Sequence, residues 1–174
     1  MENIRTFQAQ TPRIDPTVYI DNTALIIGDV EIQAKSSIWP FVVARGDVNF
    51  IRIGKNSNIQ DGSVLHVSQA DGVHPDGAAL HIGDNVTIGH KVILHGCEIQ
   101  HTSLIGMGSI ILDHVVVEPF VFLGAGSLVS SGKRLESGYL YLGSPARKIR
   151  PLSDQERDSL IESADHYYQL SLQY

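Results

Sequence analysis

Aliphatic residues recur every six positions along most of the chain. An amphipathic helix would instead place them about every 3.6 positions, and a half-buried strand would alternate along its whole length. Eighteen anchor positions form the series, and every one of them is aliphatic: Ile14, Ile20, Ile26, Ile32, Ile38, Ala44, Ile53, Ile59, Leu65, Ile82, Ile88, Leu94, Ile99, Ile105, Ile111, Val117, Leu123 and Val129. A six-residue period predicts short strands joined by tight corners, which is typical of an all-β solenoid.

The residues around the anchors support this solenoid. Where the repeat is uninterrupted, the residue four places after the anchor is small or β-branched, and such residues suit a narrow interior. Glycine, which bends at the lowest cost, directly follows five anchors, at Gly54, Gly83, Gly89, Gly106 and Gly124. Three strands make one triangular coil of a parallel β-helix. Eighteen anchors therefore predict about six coils, each contacting only its neighbours.

The repeat is interrupted in three places, which span Ala44–Ile53, Leu65–Ile82 and Leu94–Ile99. The longest interruption is rich in Gly, Asp and Pro, the residues that favour turns. We expect its residues 67–81 to form a loop that protrudes without advancing the winding.

A helix is expected after the repeat fades beyond Val129. Ser153 and Glu156 have the spacing of a capping box, which starts a helix. Residues on one face of this helix follow at Leu160, Ala164 and Tyr167. We therefore expect a solenoid domain over 1–150 and a C-terminal helix over 151–174, packed on the solenoid.

Composition narrows the possible functions. The chain has 174 residues, a formal net charge of -6 and 43% hydrophobic residues. An acidic chain without a basic patch is a poor binder of nucleic acid, and no apolar stretch has the length of a membrane span. The single cysteine, Cys97, excludes an intramolecular disulfide and fits a reducing compartment. We expect a cytoplasmic protein that binds neither nucleic acid nor membrane.

Two of the eight histidines occupy equivalent positions of the repeat. Counting strands in threes places the anchors Leu65 and Leu94 on one face of the solenoid, in consecutive coils, and His66 and His95 directly follow them. Neighbouring strands lie roughly 4.8 Å apart, so two imidazoles stacked in this way can reach one metal ion. His66 and His95 are thus predicted to be co-ligands.

A third histidine lies on the adjoining face. The same count stacks Ile59 on Ile88, so Asp61 and His90, each two places after an anchor, are also neighbours. Since His90 points away from the first pair, we expect it to meet a pair on another subunit, which predicts a homotrimer with three shared sites. Three neutral histidines and a water molecule are the arrangement of catalytic zinc. Ferrous iron and cobalt are the alternative ions.

Four segments of the sequence resemble the γ-class carbonic anhydrase family. They are RGD at 45–47, NIQDGSVLH at 58–66, IGHKVILHG at 88–96 and YLGSPARKIRPLS at 141–153. The resemblance implies a left-handed β-helix trimer, with metal bound by His66 and His95 of one subunit and His90 of its neighbour. It also implies hydration of carbon dioxide to bicarbonate.

The resemblance also implies roles for residues near the metal. Arg45 and Asp47 would form an ion pair between subunits, and Gln60 and Asp61 would lie beside the metal. Tyr141 is a further catalytic candidate, for which packing in the solenoid is the alternative.

Two positions depart from the pattern of family members that carry glutamates near the metal. Val48 follows Asp47 and Gln69 stands three places after His66, and neither side chain can relay a proton as a carboxylate does. Residues of the long loop are the candidate replacements, at Asp71, His74 and Asp76. We expect hydration to be slow.

Two other functional classes remain open at this point. A hexapeptide acyltransferase shares the solenoid and uses a loop histidine as general base, for which His74 is the candidate. A non-catalytic trimeric scaffold that keeps the metal site is the other. Surface or core positions without a catalytic role are expected for the remaining histidines, His81, His101, His114 and His166.

Overall fold

A computed structural model describes residues 3–174 and confirms a parallel β-solenoid followed by one C-terminal helix. The helix is α1 (Asp154–Ser171). The strands, in chain order, are β1 (Ile4–Arg5), β2 (Arg13–Ile14), β3 (Tyr19–Ile20), β4 (Leu25–Ile32), β5 (Ser37–Ile38), β6 (Val43–Ile53), β7 (Asn58–Ile59), β8 (Val64–His66), β9 (Leu80–Ile82), β10 (Thr87–Ile88), β11 (Ile93–His95), β12 (Glu98–Ile99), β13 (Leu104–Ile105), β14 (Ile110–Ile111), β15 (Val116–Val117), β16 (Phe122–Leu123), β17 (Leu128–Val129), β18 (Arg134–Leu135), β19 (Tyr139–Leu142) and β20 (Arg147–Pro151).

The strands stack into three faces. The histidine face contains β1, the first halves of β4 and β6, then β8, β11, β14 and β17. The charged face contains β2, the second halves of β4 and β6, then β9, β12, β15 and β18. The helix face contains β3, β5, β7, β10, β13, β16 and β19, with β20 antiparallel at its end.

The anchors form the core, as the six-residue period predicts. Ile14 and Ile20 are partly buried, and the other sixteen anchors are buried. The series also continues at the same spacing to Leu135 and Tyr141, both buried. Among residues 3–174 the helix face has eight strands, seven parallel and one antiparallel, so the expected count of about six coils was too low. The left-handed winding stays a prediction from the resemblance.

The first interruption of the repeat is a bulge at a corner. The pairing of β4 with β6 shifts between Gly28 and Val30, where β6 carries three extra residues. The two backbones approach closely there, because a Cβ on Gly28 would lie 2.2 Å from the carbonyl oxygen of Gly46. Gly28 also has a φ of 78°, in the left-handed region that favours glycine.

The long interruption leaves the solenoid after β8 and returns at β9. Its two ends are joined by an antiparallel bridge between Ser68 and Ala78. The Asn49 amide donates to the Ser68 carbonyl at 3.2 Å and to the Asp76 carbonyl at 2.9 Å, which ties the loop to β6. The last two residues of the predicted loop, 80 and 81, belong to β9.

Helix α1 packs on β5, β7 and β10 of the helix face. The predicted capping box is confirmed, with Ser153 as N-cap and Glu156 as its partner. Leu160 and Ala164 are buried against the solenoid. The helix is anchored further by hydrogen bonds to polar residues of the coils, such as Thr87 with Ser163 at 3.1 Å. No helix within residues 3–174 is long and apolar enough to cross a membrane.

Glu156 makes the stability of the fold depend on pH. Hydrogen bonds from the Arg150 side chain, and then from the Ser153 backbone amide, lower the pKa of Glu156 to about 2. Because the unfolded chain has the higher pKa, ionised Glu156 stabilises the fold above pH 4.5, and this stabilisation is lost as the pH falls toward 2. We expect Glu156→Gln to lower the melting temperature at pH 7 and to lower it much less at pH 3, measured by circular dichroism.

The control is Glu162→Gln, a change of the same kind at an exposed position of the same helix. It should leave the melting temperature within error of the unchanged protein at both pH values. An equal loss of melting temperature in Glu156→Gln at pH 7 and pH 3 would contradict the assigned pKa.

Candidate metal centre

His66 and His95 lie one above the other at the ends of β8 and β11, as the strand count predicts. Their backbones are paired in register, and their ring centroids are 5.0 Å apart. His66 Nδ1 lies 3.0 Å from His95 Nε2, so the two rings direct one nitrogen each at the other. Both side chains are partly buried.

A carboxylate contacts the outer nitrogen of each ring. Asp47 Oδ1 lies 3.1 Å from His66 Nε2, and Asp113 Oδ1 lies 2.5 Å from His95 Nδ1. When each neutral imidazole donates its N–H to its carboxylate, the two facing nitrogens both carry lone pairs. A cation between them satisfies both lone pairs, and carboxylates in this position commonly orient metal-binding histidines.

The separation of the facing nitrogens also suits a metal ion. Tetrahedral zinc with Zn–N bonds of about 2.0–2.1 Å holds two nitrogens about 3.3 Å apart. The 3.0 Å between His66 Nδ1 and His95 Nε2 is within a few tenths of an ångström of that value. The residues present therefore fit part of a zinc site.

The charge states favour ligation. Burial, the largest effect, lowers the pKa of His66 below its ordinary value, although the hydrogen bond with Asp47 acts in the opposite direction. Burial works to raise the pKa of Asp47, but hydrogen bonds from Arg45 and His66 outweigh it and keep that pKa below its ordinary value. His66 is accordingly neutral and Asp47 anionic near pH 7, as a metal ligand and its supporting carboxylate need to be.

The sequence analysis missed Asp113 and Ser68. The Ser68 hydroxyl donates to Asp113 Oδ2 at 2.7 Å, so it fixes the carboxylate that contacts His95. A signal for Asp113 was present, because Ile111 pairs with Leu94 one coil away and Asp113 follows it by two places, as Asp61 follows Ile59. No repeat position indicated Ser68, which is the second residue of the long loop.

His90 lies in the turn that follows β10 of the helix face and is not joined to the His66–His95 pair. Its Nδ1 is 3.0 Å from Asp61 Oδ2, which confirms the predicted stacking of these two residues. About half of each side chain is exposed. Within residues 3–174 of one chain, no group of three or more His, Cys, Asp or Glu residues is placed to hold a metal ion.

The other predicted site residues have separate surroundings. Arg45 pairs with Asp47 of the same chain, whereas the resemblance implied a pair between subunits. Gln60 is buried on the helix face and donates to Asn58 Oδ1 at 3.1 Å. Asn58 in turn donates to Thr87 Oγ1 at 3.0 Å, so Gln60 belongs to the polar network that reaches α1. A catalytic role for Arg45 or Gln60 stays a prediction.

Tyr141 is an anchor of the last coil and is 5% exposed. Its hydroxyl oxygen accepts a hydrogen bond from the Glu136 backbone amide at 2.8 Å. Burial, the largest effect, raises the pKa of Tyr141 above its ordinary value. The structure does not bring Tyr141 to His66 and His95 within one chain, and its catalytic role stays a prediction.

Comparison with known proteins agrees with this geometry. The chain is 52% identical over 171 residues to Protein YrdA of Escherichia coli K12, which covers 98% of this chain and 93% of that protein. It is 43% identical over 165 residues to gamma carbonic anhydrase 1, mitochondrial, of Arabidopsis thaliana. The chain belongs to the γ-carbonic anhydrase-like family of hexapeptide-repeat proteins. The match to the plant protein covers 93% of this chain and 58% of the plant protein.

A solved structure has nearly the same fold. The hexapeptide transferase family protein of Anaplasma phagocytophilum superposes with a TM-score of 0.91 at 40% identity. The superposition covers 99% of this chain and 98% of that one. No family model matches the chain. The fold is therefore shared with a solved relative over the whole length of both chains.

Proposed function

We propose that three copies of the chain form metal centres at their interfaces and hydrate carbon dioxide to bicarbonate. His66 and His95 of one copy and His90 of a neighbouring copy would hold the ion. The observation that carries this proposal is the pair of imidazole nitrogens 3.0 Å apart, each ring contacting a carboxylate through its other nitrogen. Zinc is the proposed ion, with ferrous iron and cobalt as alternatives.

The outer surface of the histidine face supports assembly through that face. The residues directly before its anchors point outward, pair coil by coil and are all apolar: Leu25, Val43, Val64, Ile93, Ile110 and Leu128. Val64 is 40% exposed and Ile93 is 41% exposed. They stand two places before His66 and His95, on the same two strands. The other four residues of this strip are partly exposed, and a continuous apolar strip on the surface is typical of a protein interface.

The charged face differs at the same positions of the repeat. Its corresponding residues are mostly charged or polar: Arg13, Glu31, Arg52, His81, Glu98, Val116 and Arg134. Arg52 and Arg13 pair with Asp29 and Glu31 at its surface. Such a face is suited to remain exposed to solvent. We therefore infer that the histidine face of one copy packs on the helix-face corner of the next, where His90 is exposed.

Within such a centre each residue of this chain has a defined task. A bound divalent ion supplies Lewis-acid chemistry that makes water a nucleophile near neutral pH. Asp47 and Asp113 orient the imidazoles of His66 and His95, and Asp61 orients His90. Val48 and Gln69 offer no carboxylate for proton export, so we propose slow turnover.

Stopped-flow hydration of carbon dioxide tests this function. Protein depleted of metal, reconstituted with zinc and reconstituted anaerobically with ferrous iron would be compared at equal concentration. We expect at least one loaded form to exceed the depleted form. Asp113→Asn should weaken metal affinity by about 10- to 100-fold, because it removes the charge that orients His95. Metal-loaded protein that hydrates no faster than depleted protein would favour the non-catalytic scaffold.

An acyltransferase is the second candidate, since the solved Anaplasma relative is named as a hexapeptide transferase family protein. His74, the proposed general base, lies on the exposed long loop with its ring centroid 4.1 Å from that of His114. Acetyl-CoA turnover by metal-depleted protein, lost in His74→Ala, would support this alternative.

For either function we propose a cytoplasmic location, which suits the buried free thiol of Cys97.

A further inference from the structure

A small cavity lies at the C-terminal end of the solenoid, two coils beyond β11. Its inner wall contains the last anchors, Val129, Leu135 and Tyr141, where no further coil covers the core. The chain then crosses this end from the helix face back to the histidine face, since the Ala146 backbone amide donates to the Leu128 carbonyl at 2.8 Å. The cavity opens to solvent on one side, and its volume is about 160 Å³.

The outer part of the cavity is positively charged. Lys133, Arg134 and Arg147 line it together with Ser130, and no carboxylate does, although the whole chain has a net charge of -6. Arg134 pairs with Glu118 at 2.7 Å. In the part of the chain that the structure describes, Lys133 and Arg147 form no ion pair. Two cations beside an apolar wall are therefore available to an anionic ligand.

We propose that this cavity binds a short-chain aliphatic carboxylate. The tail would contact Leu135, Tyr141 and Ala146, and the carboxylate would pair with Lys133 and Arg147. A cavity of about 150 Å³ accommodates benzene, so this one has room for an aliphatic chain of about five or six carbons. Arginine and lysine pair strongly with carboxylates, and each methylene removed from water adds affinity. The site is separate from the metal centre and does not depend on the proposed function.

Isothermal titration calorimetry of the full-length protein at constant ionic strength tests this site. The probes are hexanoate, acetate, inorganic phosphate and hexanol. We expect hexanoate to bind at least about tenfold more tightly than acetate, phosphate or hexanol, because only hexanoate has both the charge and the chain. Equal affinity for hexanoate and hexanol, or for hexanoate and phosphate, would overturn the proposal.

Variants distinguish the two parts of the site. Lys133→Gln combined with Arg147→Gln should weaken hexanoate binding by about tenfold or more, whereas Lys55→Gln, an exposed lysine in an early coil, should not change it. Ala146→Ile should fill the cavity and weaken hexanoate binding, while its backbone hydrogen bond remains possible. Unchanged hexanoate affinity in the double variant, with melting temperatures equal to that of the unchanged protein, would overturn the proposal.

Discussion

His95→Ala and His90→Ala should each abolish metal binding, and refolding the two variants together should restore about a quarter of the sites. In the proposed trimer one copy supplies His66 and His95, and its neighbour supplies His90. Neither variant alone can build a complete site. In random mixed trimers a site is intact where a His90→Ala copy supplies the pair and a His95→Ala copy supplies His90, which occurs with a probability of about one in four.

Metal content per chain after dialysis, measured by inductively coupled plasma mass spectrometry, tests this prediction. Differently tagged variants would show that mixed trimers form, and His166→Ala, an exposed helix histidine, is the control with full occupancy. Circular dichroism should show both site variants folded, since the site lies outside the core. Full metal content in His90→Ala alone would contradict a shared site, as would metal-free mixed trimers of proven composition.

Ile88→Ala should destabilise the protein by about 2–5 kcal/mol. Ile88 is fully buried between Ile59 and Ile105 on the helix face, so its loss leaves a cavity in the middle of the solenoid. Ile88 lies in a central coil that pairs with a coil on each side, so the cavity weakens the contacts of this coil with both neighbours. Equilibrium unfolding in guanidinium, followed by circular dichroism at one protein concentration, measures the change.

Ile161→Ala is the matched control for that measurement. Ile161 is 45% exposed on α1, and alanine is at least as good a helix former, so the free energy of unfolding should change by less than about 0.5 kcal/mol. A loss of unfolding free energy below about 1 kcal/mol in Ile88→Ala would show that this anchor does not hold the coils together as proposed.

Much of the fold could be predicted because the repeat is local. Each anchor must point inward, and this requirement alone sets the six-residue period and the register of Leu65 on Leu94. The expected coil count was too low because the residues around Leu135 and Tyr141 are mostly polar. The repeat therefore seemed to end at Val129, although buried anchors continue every six residues to Tyr141. Ser153 and Glu156 identified the start of α1 for the same reason, because a capping box depends only on residues close in sequence.

The sequence by itself determined the solenoid, the stacking of His66 on His95 and that of Asp61 with His90, since a regular winding converts sequence spacing into spatial neighbours. Only the tertiary structure decided that Asp47 and Asp113 contact the outer nitrogens of the two rings. It also decided that Ser68 fixes Asp113 across 45 residues of chain. Contacts of this kind depend on side-chain rotamers and on the path of the long loop, and no repeat position encodes either of them.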